Sequence, residues 1–169
     1  LSARQILDRL VTGRVRTYEV VIPEGWSALQ IAQRLQEVGV ASEQEFLQKT
    51  LDPEVPSRLG VEGASLEGYL FPETYHLARG LPALEVAATF VDEFLARWRE
   101  LAPLAEAQGR SMQEVVTLAS IVEKETGAEA ERPLIAAVFL NRLARGMRDR
   151  KSTRLNSSHS SVSRMPSSA

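Results

Sequence analysis

Two short segments of the sequence carry the side chains best suited to chemistry. Residues 117–127 read TLASIVEKETG and hold two carboxylates around one lysine. Residues 66–75 read LEGYLFPETY and combine aromatic rings with carboxylates, among them Tyr75 and Glu73. A protonated carboxyl group can give its proton to a leaving oxygen, and aromatic faces beside fixed carboxylates suit a glycan cleft. The two segments therefore favour chemistry on a sugar chain.

Helical spacing distinguishes the two glutamates of residues 117–127. At about 100° per residue, Glu125 lies about 60° from Val122, at the edge of the apolar stripe, and Glu123 lies on the other flank. Partial burial and the negative end of the helix dipole would both favour the protonated form of Glu125. The spacing makes Glu125 a candidate general acid, but on these residues alone a solvated helix end is the favoured interpretation.

The remaining candidates also have a structural interpretation beside a functional one. Residues 66–75 fit a buried β-segment that bends at Pro72 as well as they fit a cleft wall. Asn141 and Arg142, on the last predicted helix, fit either a site or a solvated surface. The apolar stripe of that helix is predicted to be core, and it consists of Leu134, Ile135, Val138, Phe139 and Leu143.

The elements that must position these residues predict a helix-rich α+β fold. The alternating, β-branched residues 14–22 predict a strand. Capping boxes of the form Ser-x-x-Glu/Gln predict three helix starts, at Ser27, Ser42 and Ser111. Longer helical patterns run from Pro82 towards Gly109, with an interruption expected near Pro103, and over residues 129–145.

Composition divides the chain into five parts. Residues 1–13 are predicted to end a preceding segment, with a helix over 2–12, and residues 14–50 to form a compact strand–helix–helix unit. Residues 51–64 hold two prolines and two glycines and are predicted to be a linker or irregular loop. Residues 65–148 are predicted to form a mostly helical domain, and the serine-rich residues 149–169 a separate tail.

The tail is predicted to be non-native. Residues 149–159 resemble the forward translation of a common sequencing-library adapter, and residues 163–169 resemble the translation of its far end. Removing the four basic residues and one acidic residue of the tail changes the formal charge from -2 to -5 and leaves His76 as the only histidine. With no cysteine either, the composition argues against a His- or Cys-based metal site, a Ser-His-Asp triad and a basic nucleic-acid face.

Four motifs together resemble one known family. They are VIPEG before an amphipathic helix, LEGYLFPETY, LASIVEKETG and ERPLIAAVFLNRLARGM, and in this order they are similar to the YceG-like (MltG) family of endolytic murein transglycosylases over nearly all of residues 1–148. The resemblance implies cleavage of the β-1,4 bond from N-acetylmuramic acid to N-acetylglucosamine in nascent glycan strands. The product end would be a 1,6-anhydro sugar, and no metal or cofactor is expected.

The resemblance also implies roles for individual residues. It assigns Glu125 as the catalytic acid and base, and it suggests that residues 14–50 are a LysM-like subdomain in contact with glycan. Tentative substrate-binding residues follow from position within the motifs, and they are Glu73, Tyr75, Glu123, Asn141 and Arg142.

Location and partners are expectations from the same resemblance. It implies a single-pass protein of the bacterial inner membrane with its catalytic domain on the periplasmic side, and peptidoglycan strands and cell-wall synthesis proteins as partners. The family's membrane helix is not seen before Leu1 and the match stops near Arg148, so the chain is predicted to be a truncated piece, poorly stable and weakly active. Two alternatives are a non-catalytic peptidoglycan-binding or divisome scaffold module and a cytoplasmic helical regulator.

Overall fold

The computed structural model describes residues 2, 4 and 16–145, which form two compact units, one up to Lys124 and one from Glu125. The first unit contains two strands and five helices among its described residues, namely β1 (Thr17–Val21), α1 (Ala28–Val38), α2 (Glu43–Thr50), α3 (Val55–Arg58), β2 (Thr74–Ala78), α4 (Ala83–Ala107) and α5 (Met112–Glu125), whose last residue begins the second unit. A short 3₁₀-helix (Glu129–Glu131) and α6 (Arg132–Ala144) follow. The predicted helix-rich α+β class is confirmed. The predicted helix over 2–12 and the tail over 149–169 fall outside the described residues, apart from residues 2 and 4.

The two strands pair with each other although they are far apart in the chain. They are antiparallel, with Thr17 opposite Ala78 and Val21 opposite Thr74. Side chains alternate between faces in such a pair, so Val20, Tyr75 and Leu77 are buried on the inner face of the sheet. The pairing joins residues on either side of the segment that the sequence predicts to be a linker.

The first helix begins and ends where its sequence signals predict. The Ser27 side chain accepts a hydrogen bond from the Gln30 backbone N–H, and the Gln30 side chain accepts one from the Ser27 backbone N–H at 2.9 Å. This reciprocal arrangement satisfies backbone donors that the first turn leaves unpaired. Gly39 ends the helix with φ of +75°, a conformation that glycine adopts without steric cost. The buried stripe of α1 includes Ile31 and Leu35.

The second predicted capping box does not form, although α2 begins at the predicted place. Ser42 makes no side-chain capping hydrogen bond. The Gln36 side chain, at the end of α1, accepts a hydrogen bond from a different donor of this turn, the Glu43 backbone N–H, at 3.1 Å. The neighbouring helix thus satisfies one of the donors that a helix start leaves unpaired.

The core of the first unit lies between the inner face of the sheet and helices α1, α2 and α4. Phe90 is fully buried at its centre, with the Phe46 ring edge-on to it at 6.1 Å and the Tyr75 ring at 4.4 Å. Val55 and Val61 are also buried in this core. Residues 51–64 are therefore packed against the unit and carry α3, which differs from a free linker. The predicted domain boundaries themselves stay a prediction.

Two further helices differ from their sequence predictions. The α4 helix continues through Pro103. Proline removes one backbone donor, but the strong helix formers on both sides propagate the helix. In the second unit, the α6 stripe that was predicted to be core is exposed at Leu134, Val138 and Leu143. That prediction is wrong for the described residues, because periodicity shows which side chains share a face but not whether another element covers it.

Candidate active site

A capping box fixes the start of α5, the helix that carries the two candidate glutamates. The Ser111 backbone N–H donates to the Glu114 carboxylate at 3.0 Å, and the Glu114 backbone N–H donates to the Ser111 hydroxyl at 3.2 Å. The third predicted capping box is thus confirmed. The helix α5 then runs to Glu125, its last residue.

The Glu125 side chain is exposed to solvent. The expectation of partial burial is therefore wrong, even though Val122 on the same helix is buried as predicted. Periodicity placed Glu125 at the edge of the apolar face, and the packing stops short of that edge. An exposed carboxylate at the end of a helix can be reached by a large polymeric substrate, which a buried one could not.

The turn after Glu125 is fixed by the next side chain, a feature that the sequence analysis did not identify. The Thr126 hydroxyl donates to the Glu131 carboxylate at 2.9 Å and accepts a hydrogen bond from the Ala128 backbone N–H at 2.9 Å. Threonine commonly bonds the backbone two residues ahead in this way. Thr126 is 9% exposed and Glu131 is exposed, so this link is partly buried, and it holds the backbone directly after Glu125.

Glu123 and Lys124 lie against the turn that follows β1. The Lys124 ammonium donates to the Gly25 carbonyl at 3.4 Å. A Glu123 carboxylate oxygen stands 3.4 Å from the position that a Cβ on Gly25 would occupy. The VIPEG motif and the end of α5 are thereby in contact, which no local sequence signal predicts because 99 residues separate Lys124 from Gly25.

Two glutamates in the loop of residues 62–69 accept hydrogen bonds from the first turns of α1 and α5. The Glu67 carboxylate accepts a hydrogen bond from the Ala28 backbone N–H, in the first turn of α1, at 3.1 Å. The Glu62 carboxylate accepts one from the Gln113 backbone N–H, in the first turn of α5, at 3.4 Å. Negative charge is favourable at both helix starts. Neither glutamate was among the predicted site residues.

The two predicted residues of the aromatic motif occupy different environments. Tyr75 is 7% exposed, and its hydroxyl donates to the Phe71 carbonyl at 2.7 Å. Burial, with a further contribution from Glu93 and Glu73, raises the pKa of the Tyr75 hydroxyl well above its ordinary value. Tyr75 therefore packs in the core of the first unit, and its role in substrate binding stays a prediction. Glu73 is exposed, and its carboxylate accepts a hydrogen bond from the adjacent Thr74 backbone N–H at 2.9 Å.

A second tyrosine of the motif, Tyr69, is also buried. Its ring packs edge-on against Phe94 at 5.1 Å. Burial, and then the Glu62 carboxylate, raise the pKa of Tyr69. Among the described residues, no protein atom forms a hydrogen bond with its hydroxyl.

The last two predicted residues lie on α6 in the second unit. Asn141 is exposed, and Arg142 is half-buried with its guanidinium 5.9 Å from the centre of the Phe139 ring. This cation–π contact is weak at an exposed site. Their role in binding stays a prediction.

The described residues hold neither a candidate metal cluster nor a candidate membrane helix. In the ranges that the structure describes, no three histidine, aspartate or glutamate side chains are grouped so as to hold a metal ion. None of the described helices is long and apolar enough to cross a membrane.

Comparison with known proteins shows the family of this chain. The model of the YceG-like family matches residues 1–157, so the chain belongs to that family. The match reaches into the beginning of the serine-rich tail, whose origin stays a prediction. A crystal structure of a YceG-like protein from Listeria monocytogenes is similar to 97% of this chain, with a TM-score of 0.71 and 27% sequence identity, and the chain covers 60% of that protein.

Two relatives of this chain carry the same name. The chain is 34% identical over 152 residues to a Streptococcus pneumoniae protein, and 25% identical over 158 residues to a Bacillus subtilis protein. Both relatives are named endolytic murein transglycosylase. The alignments take in 76% and 84% of this chain, but only 27% and 44% of the respective relatives.

Proposed function

We propose that this chain belongs to an endolytic murein lytic transglycosylase, a lyase in which Glu125 is the catalytic acid and base. The proposal is carried by the exposed Glu125 carboxylate at the end of α5, followed by a backbone turn that Thr126 and Glu131 hold in place. The names of the relatives support the reaction class. An accessible acid on a fixed backbone is what attack on an internal bond of a long polymer requires.

The proposed reaction needs one carboxyl group. Glu125 protonates the oxygen between N-acetylmuramic acid and N-acetylglucosamine as that bond breaks. The resulting carboxylate then takes the proton of the muramic acid 6-hydroxyl while the oxygen of that hydroxyl bonds to the anomeric carbon of the same sugar. This step gives a 1,6-anhydro end and returns Glu125 to its protonated form. Attack by a hydroxyl of the same sugar is intramolecular and gains the corresponding proximity advantage. Ordinary glycosidases use a second carboxyl group for this step.

Exposure of Glu125 in the free protein is compatible with this role. A long glycan strand can reach an exposed carboxyl group at the end of α5.

The proposal extends to location and partners. The substrate would be nascent peptidoglycan, with cell-wall synthesis proteins as further partners, and the site of action the periplasmic side of the inner membrane, where a membrane anchor would hold the protein. The support is the family resemblance of the sequence. In the same way, residues 14–50 are proposed to contact glycan as a LysM-like subdomain.

The test uses the natural gene product that carries this sequence. It is incubated with uncrosslinked peptidoglycan strands, and the ends of the products are identified by mass spectrometry. We expect 1,6-anhydromuramic ends, with the rate falling at least about 1,000-fold in Glu125→Gln, because the amide cannot donate the required proton. Glu123→Gln is the comparison variant, and we expect it to lower the rate far less, because Glu123 is predicted to contact substrate and not to transfer the proton.

Other outcomes have defined meanings. Reducing ends in place of anhydro ends would overturn the lyase mechanism and leave a hydrolase on the same substrate. Glycan binding without cleavage, by a folded protein, would favour the non-catalytic scaffold function. Equal losses in Glu123→Gln and Glu125→Gln would remove the assignment of Glu125.

A further inference from the structure

Gly68 lies closer to α5 than any other residue type could. A Cβ built on Gly68 would stand 2.8 Å from the Val116 Cγ1 atom, and the Gly68 φ angle is +88°. Two carbon atoms in ordinary contact are about 3.5–4.0 Å apart, so a side chain here would overlap by roughly 1 Å. Val116 cannot turn its methyl group away at low cost, because valine in a helix has one strongly preferred rotamer.

The loop that carries Gly68 is held from two sides. Glu67, the preceding residue, is hydrogen-bonded to the Ala28 backbone N–H, and Glu62 is hydrogen-bonded to the Gln113 backbone N–H. Tyr69, the following residue, is packed against Phe94. The residues on either side of Gly68 are tied to α1 and α4, while Glu62 is tied to the start of α5 itself. We therefore expect a side chain at Gly68 to displace α5 at Val116 more than it displaces the loop.

The far end of α5 is supported by another segment. The Gly25 carbonyl accepts the hydrogen bond from Lys124, in the last turn of the helix. Three contacts therefore follow one another along α5, at Gln113, Val116 and Lys124. Each contact is made by a residue that is distant in sequence from α5. Together the contacts fix the position of α5 along its axis and its rotation about that axis.

We propose that Gly68 and Val116 are positioning residues that set the location of the last turn of α5 and therefore of the Glu125 carboxylate. This rests on the proposed function, in which Glu125 is the acid. A helix transmits a displacement along its axis, and Val116 lies about 13 Å from the end of α5 at 1.5 Å per residue. A displacement of about 1 Å in a catalytic group can cost roughly 100-fold in rate.

The test compares two glycine substitutions in the natural gene product. Gly68→Ala introduces the overlap with Val116. Gly80→Ala is the matched control, because Gly80 has a similar φ of +74° but no atom lies within 4 Å of the position that its Cβ would take. We expect kcat on uncrosslinked glycan strands to fall roughly 10- to 100-fold in Gly68→Ala with KM nearly unchanged, and both constants to stay within about twofold in Gly80→Ala.

A double variant identifies the contact responsible. Val116→Ala removes the Cγ1 atom that the new Cβ would meet. Adding it to Gly68→Ala should restore kcat to within about threefold of Val116→Ala alone. A loss that is the same in Gly68→Ala and Gly80→Ala, or one that Val116→Ala does not relieve, overturns the proposal.

Hydrogen exchange gives a second measurement that does not depend on activity. The backbone amides of residues 121–125 should exchange faster in Gly68→Ala than in wild type, and at the wild-type rate in Gly80→Ala and in the double variant. Unchanged exchange in Gly68→Ala overturns the positioning role. If the wild type does not cleave glycan at all, the proposed function fails, while the exchange data still decide whether Gly68 positions α5.

Discussion

The Glu67 carboxylate accepts a hydrogen bond from the Ala28 backbone N–H at 3.1 Å, across 39 residues of sequence. It joins the aromatic LEGYLFPETY motif to the start of α1. The Ser27 side chain bonds the Gln30 N–H, so Ser27 and Glu67 satisfy different donors of the same first turn. A carboxylate at this end of a helix also interacts favourably with the helix dipole.

The first prediction follows from this contact. Glu67→Ala should lower the free energy of unfolding by about 1 kcal/mol, since the Ala28 donor loses its partner and the helix start loses a negative charge. Glu73→Ala is the control, because the Glu73 carboxylate bonds only the adjacent Thr74 N–H among the hydrogen bonds described, and it should cost less than about 0.5 kcal/mol. Urea unfolding followed by tryptophan fluorescence measures both values. Equal costs would contradict the prediction, because the Glu67–Ala28 hydrogen bond would then stabilise the fold no more than the Glu73–Thr74 hydrogen bond does.

The second prediction compares two serines that precede helices. Ser27→Ala should cost about 1 kcal/mol, because its side chain takes part in a complete capping box. Ser42→Ala should cost only a few tenths, because Ser42 makes no side-chain capping hydrogen bond that the substitution could remove. Urea unfolding of the two variants checks the difference. A larger loss in Ser42→Ala would contradict it.

The third prediction concerns the hydroxyl groups of two buried tyrosines. Tyr75→Phe should cost about 1–2 kcal/mol, because the Phe71 carbonyl loses a hydrogen bond of 2.7 Å inside the core. Tyr69→Phe should leave stability unchanged or raise it by up to about 1 kcal/mol, because no described protein atom is hydrogen-bonded to the buried Tyr69 hydroxyl, and a buried hydroxyl without a partner is unfavourable. Both substitutions keep the aromatic ring, so thermal unfolding isolates the hydroxyl. A reversed order would place the important hydrogen bond at Tyr69.

The fourth prediction is a loss of stability at alkaline pH. The pKa of Tyr75 in the folded protein is raised above its ordinary value of 10.0, so the unfolded chain releases the proton first. The unfolded state then binds fewer protons than the folded state, and the free energy of unfolding falls as pH rises above about 10. Below that pH the contribution of Tyr75 is constant. The fall should be shallower in Tyr75→Phe, and identical slopes in wild type and variant from urea unfolding at several pH values would contradict the assignment.

Local signals in the sequence predicted the helices well because the relevant interactions are local. The capping boxes at Ser27 and Ser111 involve residues three apart, and both form. The box at Ser42 shows the limit, since it does not form and the side-chain hydrogen bond at this helix start comes from Gln36, on α1. The pairing of β1 with β2 depends on residues that are distant in the chain, so neither strand alone indicates its partner.

The same distinction applies to the candidate site. The end of α5 at Glu125 was predictable from helix spacing, but its exposure was not. Tyr75 was chosen from its position within the LEGYLFPETY motif, and its burial in the core depends on tertiary packing that the motif does not show. Gly68 carried no signal of its own, because the close approach of Val116 comes from another helix.

The fifth prediction tests where the core lies by making one substitution at two positions. Leu35, on α1, is fully buried, and Leu134, on α6, is 69% exposed. Both belong to apolar stripes with helical spacing, so the sequence alone predicts that both are core residues. Leu35→Ala should lower the free energy of unfolding by about 2–5 kcal/mol, because it removes buried methyl groups and leaves a cavity.

Leu134→Ala in this chain should stay within about 0.5 kcal/mol, since most of that side chain already contacts water. Urea unfolding by far-ultraviolet circular dichroism detects the helices of both units and measures the two variants on one scale. A cost of several kcal/mol for Leu134→Ala would mean that α6 buries this face in solution, and the sequence-based prediction of a core stripe would then be correct. A small cost, beside a large one for Leu35→Ala, would locate the stabilising core of the chain in the unit that ends at Lys124.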